Sequence, residues 1–110
     1  IDFEVEFLHD AKEFLDGLDE KARDKIMFNI WKVKYSLDSE LFKKLTAHIW
    51  EFRTFYNKQY IRLFAFWNKT ESGSTLIIAT NGIIKKTRRT PRKEINKAER
   101  IRTDYINSKK

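Results

Sequence analysis

Apolar and acidic residues alternate over residues 2–8, at the start of the chain. A period of two places the apolar side chains on one side of an extended segment, so the pattern predicts a half-buried strand. Residues 9–17 then carry apolar side chains at helical spacing, and a second helical stripe runs from Asp19 to about residue 37. Asp19 is of a residue type that caps helix N-termini. The chain is therefore predicted to begin with a strand and two helices.

Three further strand-like runs lie in the second half of the chain, over residues 49–55, 60–67 and 75–84. The gaps between them, residues 56–59 and 68–74, are short, and the second contains turn-forming residues. Because short gaps join antiparallel neighbours, the three runs are predicted to form two hairpins.

The remaining segments complete the predicted fold. Residues 38–48 have a mixed pattern and are predicted to be a connection, whereas Thr90 and Pro91 have the residue types of an N-cap and a first helical residue. This element order predicts one α+β domain over residues 1–110, with a four-stranded, mostly antiparallel sheet and a C-terminal helix. The two N-terminal helices cover one face of the sheet. The other face is expected to stay partly open, where it can hold a ligand.

The positive net charge of the chain, +7, is confined to its C-terminal quarter. Residues 85–110 carry eleven Lys or Arg against three acidic residues, a net charge of +8, whereas residues 1–84 carry −1. Such an asymmetry indicates a polyanionic partner, because each neutralised phosphate releases condensed counterions. RNA or DNA is therefore the first partner to consider, with a solvated helix face as the alternative explanation of the same charges.

Other features exclude several classes of site. Cysteine is absent and the chain has two histidines, His9 and His48, without the spacing of a metal motif. This excludes disulfides and thiolate metal sites, and we expect no metal and no cofactor. No apolar run reaches the length of a membrane span, and the start of the chain has no signal-peptide pattern. We therefore expect a cytoplasmic protein without a membrane partner.

Charged residues on two of the predicted strands form the strongest candidate site. The alternation places Glu51 and Arg53 on the face of their strand opposite Trp50, and Arg62 on the same face of the neighbouring strand. Further cations follow the last strand, at Lys85, Lys86, Arg88 and Arg89. Fixed arginines on a concave sheet suit a phosphodiester, because a guanidinium offers two parallel hydrogen bonds to phosphate. A cross-strand ion-pair ladder without function is the alternative.

Several short motifs give the chain a family resemblance. They are WEFR at 50–53, YIRLF at 60–64, NGIIKKT at 81–87, TPRKEI at 90–95, and Ala98, Arg100 and Asp104-Tyr105. With these motifs the chain resembles the phage-derived HigB-like branch of the RelE/ParE toxin superfamily, over about residues 3–106. The resemblance implies the RelE-like toxin fold and the toxin component of a type II toxin–antitoxin system. It also implies a ribosome-dependent mRNA endoribonuclease that works without metal, by attack of the ribose 2′-hydroxyl on the adjacent phosphate.

The resemblance also implies roles for particular residues. It places the functional cations at Arg53, Arg62 and Lys86, with Glu51 as the general base or as the group that orients Arg53. The residues expected to contact nucleic acid are Lys85, Arg88, Arg89, Arg92 and Tyr60. The implied partners are the ribosome, mRNA and an antitoxin with a helix-turn-helix domain, through which alone the pair would bind operator DNA.

Two other functions fit the same resemblance and charge. One is a ParE-like toxin that poisons DNA gyrase by binding and has no nuclease activity. The other is a non-catalytic nucleic-acid-binding module whose basic tail follows phosphates, which predicts salt-dependent binding without cleavage.

Overall fold

The computed structural model describes residues 3–36, 38–69 and 75–109, which form five strands and three helices. The strands are β1 (Glu4–Phe7), β2 (Phe42–Lys44), β3 (Trp50–Tyr56), β4 (Gln59–Lys69) and β5 (Thr75–Lys85). The helices are α1 (His9–Asp16), α2 (Glu20–Ser36) and α3 (Arg92–Ser108). Residues 2 and 37 and most of the predicted gap 68–74 lie outside the described residues.

The strands form one mixed sheet in the order β1-β5-β4-β3-β2. β1 pairs parallel with β5, and the other neighbours pair antiparallel. The predicted α+β fold class is thereby confirmed, but the sheet has five strands where four were predicted. The additional strand is β2, which lies inside the predicted connection 38–48. Its three residues are too few to show an alternating pattern.

The N-terminal helices pack against one face of the sheet, as predicted. The Asp19 side chain accepts a hydrogen bond from the Ala22 backbone N–H at 2.8 Å, which confirms Asp19 as the N-cap of α2. The buried stripe of α2 and the inward side chains of α1 cover Phe52, Leu63 and their neighbours. At Gly82 on β5, an added Cβ would overlap the Phe14 ring, so glycine is required for the close approach of α1.

The opposite face of the sheet is covered in part by α3, which agrees with the prediction that this face stays partly open. Ile95 and Ala98 of this helix pack with four buried side chains: Ile49, just before β3, and Phe64, Phe66 and Ile78 of the sheet. Pro91, and not Thr90, occupies the N-cap position of α3. The prediction of Thr90 as the cap is therefore wrong, and its hydroxyl binds elsewhere.

The β3–β4 hairpin positions the charged end of this second face. Its turn residues, Asn57 and Lys58, have φ values of 51° and 61°. Two left-handed residues give the twist that a two-residue hairpin loop needs. The resulting register pairs Arg53 with Arg62. In the described part of the chain, no helix is long and apolar enough to cross a membrane.

Candidate functional site

Glu51, Arg53 and Arg62 lie together on the face of the sheet that α3 partly covers. Arg53 and Arg62 are direct cross-strand partners, and Glu51 lies two residues before Arg53 on β3. Arg53 Nε lies 3.6 Å from Glu51 Oε2, and Arg62 Nε lies 3.6 Å from Glu51 Oε1. At this separation the charges attract each other, but the contact is too long for a good hydrogen bond. This register confirms the prediction that Glu51, Arg53 and Arg62 share one face of the sheet.

This cluster is buried, although a position on an open surface was expected. Glu51 and Arg62 are each 2% exposed, and the Arg53 side chain is 17% exposed. The segment before α3 closes over the carboxylate, where the Thr90 hydroxyl donates a hydrogen bond of 2.8 Å to Glu51 Oε1. Glu51 is thus held between two guanidiniums and a hydroxyl. This geometry matches a group that orients the arginines.

Three buried donors of the cluster have no hydrogen-bond partner among the described residues. They are Arg53 Nε, Arg62 Nε and Lys85 Nζ. Burial lowers the pKa of Lys85, and the nearby Arg62 charge lowers it further, while Glu51 opposes both. Burial also lowers the pKa of Arg62, against the opposing effect of Glu51. One carboxylate therefore does not balance the positive charge buried here.

A cleft of about 320 Å³ opens beside this cluster, at the edge of β3. β2 pairs only with Trp50–Phe52, so the second half of β3 lies at the margin of the sheet. Residues from α2, from the segment before β2, from β3 and β4, and from the loop before α3 line the cleft: Lys25, Asn29, Lys32, Glu40, Leu41, Arg53, Thr54, Phe55, Tyr60, Arg62 and Arg88. Five of them are cations and one is an acid, so the cleft is suited to an anion.

Local contacts fix the two walls of the cleft. Asn29 of α2 is buried, and its side-chain amide donates to Thr54 Oγ1 at 3.0 Å, which ties the helix to β3. Opposite, Arg62 Nη2 donates to the backbone oxygen of Arg88 at 3.3 Å. The Arg62 guanidinium lies 5.5 Å from the centre of the Tyr60 ring, a cation–π contact that holds it toward the cleft.

The structure separates the cations that the sequence grouped after β5. Lys85 points to the buried cluster and is the cross-strand partner of Tyr60. Lys86 is exposed and does not line the cleft. Arg88 is exposed and lines it, whereas Arg89 and Arg92 are exposed outside it.

Sequence reasoning missed Lys25, Lys32 and Phe55, which also line the cleft. No local pattern distinguishes these lysines from the other surface lysines of α2. Phe55 could have been found from its alternation with Arg53, which places both on the same face of β3.

One group of metal-ligating side chains occurs in the described part of the chain, at the start of α1. It comprises His9, Asp10 and Glu13, whose ligand atoms lie within 4.8 Å of one another. These side chains already have partners, because His9 Nε2 contacts Glu13 Oε2 at 3.1 Å and Asp10 pairs with Lys97 at 3.5 Å. The group lies outside the cleft.

The fold and the cleft define a small α+β protein with a cation-lined groove at a sheet edge. A family model described as phage-derived protein Gp49-like (DUF891) matches residues 13–103. This match covers most of the chain, and the chain therefore belongs to the Gp49-like family. Searches of curated proteins and of solved structures gave no significant match.

Proposed function

We propose that this protein is the toxin of a type II toxin–antitoxin pair and cuts mRNA on the ribosome. The observation that carries the proposal is the cation-lined cleft, whose lining includes Arg53, Arg62 and Arg88. Membership in a phage-derived family and the resemblance of its motifs to HigB-like toxins support the same function. An antitoxin that covers the cleft would inactivate the protein, and operator DNA would be bound only through that antitoxin.

The proposed reaction is a transesterification within the RNA strand. The ribose 2′-oxygen bonds to the adjacent phosphorus, and the bond from phosphorus to the 5′-oxygen breaks. The products are a 2′,3′-cyclic phosphate and a 5′-hydroxyl, and the proton lost by the 2′-hydroxyl is balanced by the one that the 5′-oxygen gains. Arg53 and Arg62 would stabilise the charge that develops on the non-bridging oxygens.

The contacts of Glu51 support a positioning role in this reaction. Its Oε1 atom accepts from Thr90 and faces Arg62, and its Oε2 atom faces Arg53. A general base must reach the proton that it removes, but Glu51 does not line the cleft, whereas Arg53 and Arg62 do. We therefore assign to Glu51 the orientation of both arginines. Lys86, the third predicted functional cation, is exposed outside the cleft, and its role in the reaction stays a prediction.

The decisive experiment is primer extension on mRNA from cells that briefly express the wild type, with and without an inhibitor that empties the ribosomal A site. Arg62→Lys is the informative variant, since it keeps the charge but loses the planar fork that binds phosphate. We expect cuts within translated codons that weaken at least about a hundredfold in this variant. Arg100→Lys, at an exposed position of α3, is the matched control and should cut normally.

Each other outcome identifies an alternative function. Growth arrest without codon cuts would contradict the nuclease and favour a gyrase poison. Absence of both effects would favour a non-catalytic nucleic-acid-binding module. Thermal unfolding of Arg62→Lys must accompany the comparison, because Arg62 is buried and a loss of folding would also remove the cuts.

A further inference from the structure

Phe55 is an exposed aromatic side chain at the mouth of the cleft. It is 56% exposed, and its ring centre lies 4.8 Å from that of Tyr60 across the β3–β4 hairpin. A single exposed apolar residue needs no explanation. Here, however, two aromatic rings stand beside each other at the rim of a cationic cleft, and both line it. Aromatic rings next to fixed cations are the arrangement by which proteins bind unpaired bases.

The opposite wall of the cleft carries two lysines of α2. Lys25 and Lys32 are seven residues apart, or roughly 10 Å along the helix axis. Their Nζ atoms lie 5.7 Å and 6.0 Å from the centre of the Phe28 ring, which holds both near the same helix surface. Within the described residues, neither lysine has a carboxylate partner in ion-pair distance.

The distribution of these groups suits a ligand with more than one phosphate. The arginines of the cleft lie on β3, β4 and the loop before α3, whereas the lysines lie on α2, which packs against the other face of the sheet. An isolated phosphate cannot contact these cations and also place a base on the aromatic rings. A strand with successive phosphates can. A duplex keeps its bases stacked inside, so it offers no base to Phe55.

We propose that Phe55 and Tyr60 stack on an unpaired base, while Lys25 and Lys32 bind phosphates next to the one held by the arginines. The ligand of the cleft is thus a single-stranded RNA segment. This inference rests on the proposed function for the identity of the strand as RNA. It adds a base-binding platform and a second phosphate contact, both on elements distant in sequence from the basic tail.

The test is equilibrium binding of a fluorescent, non-cleavable 2′-O-methyl RNA of about ten nucleotides. Phe55→Ala should weaken binding about tenfold, which is the usual effect of losing one stacking side chain. Tyr35→Ala is the matched control, because Tyr35 is a 74% exposed aromatic residue that does not line the cleft. Its affinity should equal that of the wild type, and the duplex form of the probe should bind more weakly than the single strand.

A second arm measures salt dependence between about 50 and 200 mM. Lys25→Ala/Lys32→Ala should make the slope of log K against log salt shallower by about 1.4, the value for two lost contacts to a single strand. Lys12→Ala/Lys21→Ala removes the same charge at exposed positions outside the cleft and should leave the slope nearly unchanged.

The outcomes separate this inference from the proposed function. No binding of the probe by the wild type, or equal binding by Phe55→Ala and the wild type, would overturn the platform. Codon cuts that depend on Arg62 but not on Phe55 would support the nuclease and contradict the base-binding platform. Conversely, binding that depends on Phe55 in a protein that makes no cuts would support the platform and contradict the nuclease.

Discussion

Both faces of the sheet contain buried side chains, but the chemistry of these side chains differs between the two faces. Beneath α1 and α2 the face is apolar, with Phe52 and Leu63 in a continuous cluster with the helices. The second face is apolar only beneath α3. Toward the β3–β4 hairpin it buries Glu51 with Arg62 and the Nζ atom of Lys85. Desolvating an ion costs several kcal/mol unless partners compensate it, so the buried charges at this end lower the stability of the folded protein.

The largest expected effect is on the apolar face. Phe52→Ala should lower the free energy of unfolding by about 4 kcal/mol, because it removes a buried ring and leaves a cavity. Phe52 stacks on Phe42 with ring centres 4.4 Å apart. Urea denaturation measures the change, with the exposed Phe28→Ala as control at under about 0.5 kcal/mol. A loss as small as that of the control would contradict a well-packed core on this face.

Glu51→Gln tests the charged end and should cost about 3 kcal/mol, since it keeps the shape of the side chain but leaves the arginines uncompensated. Added inorganic phosphate should stabilise the variant more than the wild type, because an anion can replace the lost charge. Glu4→Gln, at an exposed position of β1, is the control. If Glu51→Gln and Glu4→Gln lower the free energy of unfolding by the same small amount, the Glu51 carboxylate does not hold the cluster together.

The sequence was sufficient to predict which residues share a face, but not what covers them. Alternation along β3 and β4, with a short gap between them, placed Arg53 and Arg62 together. The burial of this pair depends on the path of the segment before α3, which no local pattern encodes. The same holds for Thr90, whose residue type predicted a helix cap while its hydroxyl binds a carboxylate 39 positions earlier.

Long-range packing also explains the other errors. β2 exists because its three residues pair with Trp50–Phe52, and so short a strand has no signature of its own. The contribution of α2 to the cleft depends on where Asn29 ties the helix to β3. The fold class could therefore be predicted from periodicity, whereas the predicted part of the cleft is limited to residues of β3, β4 and the loop before α3: Arg53, Tyr60, Arg62 and Arg88.

Thr90→Val removes one contact of the charged end, the hydrogen bond from the Thr90 hydroxyl to Glu51. The valine keeps the volume of the side chain but cannot donate to Glu51, and we expect a loss of about 2 kcal/mol, as for hydrogen bonds to charged groups. Thr103→Val is the control, because the Thr103 hydroxyl donates only to the Glu99 backbone oxygen at an exposed position of α3. Thermal unfolding at equal ionic strength compares them, and equal melting temperatures would show that Thr90 contributes nothing to the closure.

Lys85→Met should change stability in the opposite direction. Replacing a buried ammonium by an apolar side chain of similar length should raise the free energy of unfolding by about 1 kcal/mol at neutral pH. Lys86→Met, at the exposed neighbouring position, should change it by less than about 0.5 kcal/mol. A loss of stability in Lys85→Met would mean that the ammonium is compensated in the folded protein.

The pH dependence of the stability difference between the wild type and Lys85→Met tests whether burial of the ammonium causes that difference. The pKa of Lys85 is lowered from its ordinary value of 10.5, so the folded protein releases this proton before the unfolded chain does. The cost of burial is therefore complete below the lowered pKa and disappears as the pH rises toward 10.5. The wild type should approach the stability of Lys85→Met in this range. Tyr105, whose pKa is raised chiefly by burial, is present in both proteins, so its effect cancels in the difference. If the charged end exists to bind an anion, Lys85→Met will be more stable than the wild type and will bind single-stranded RNA more weakly.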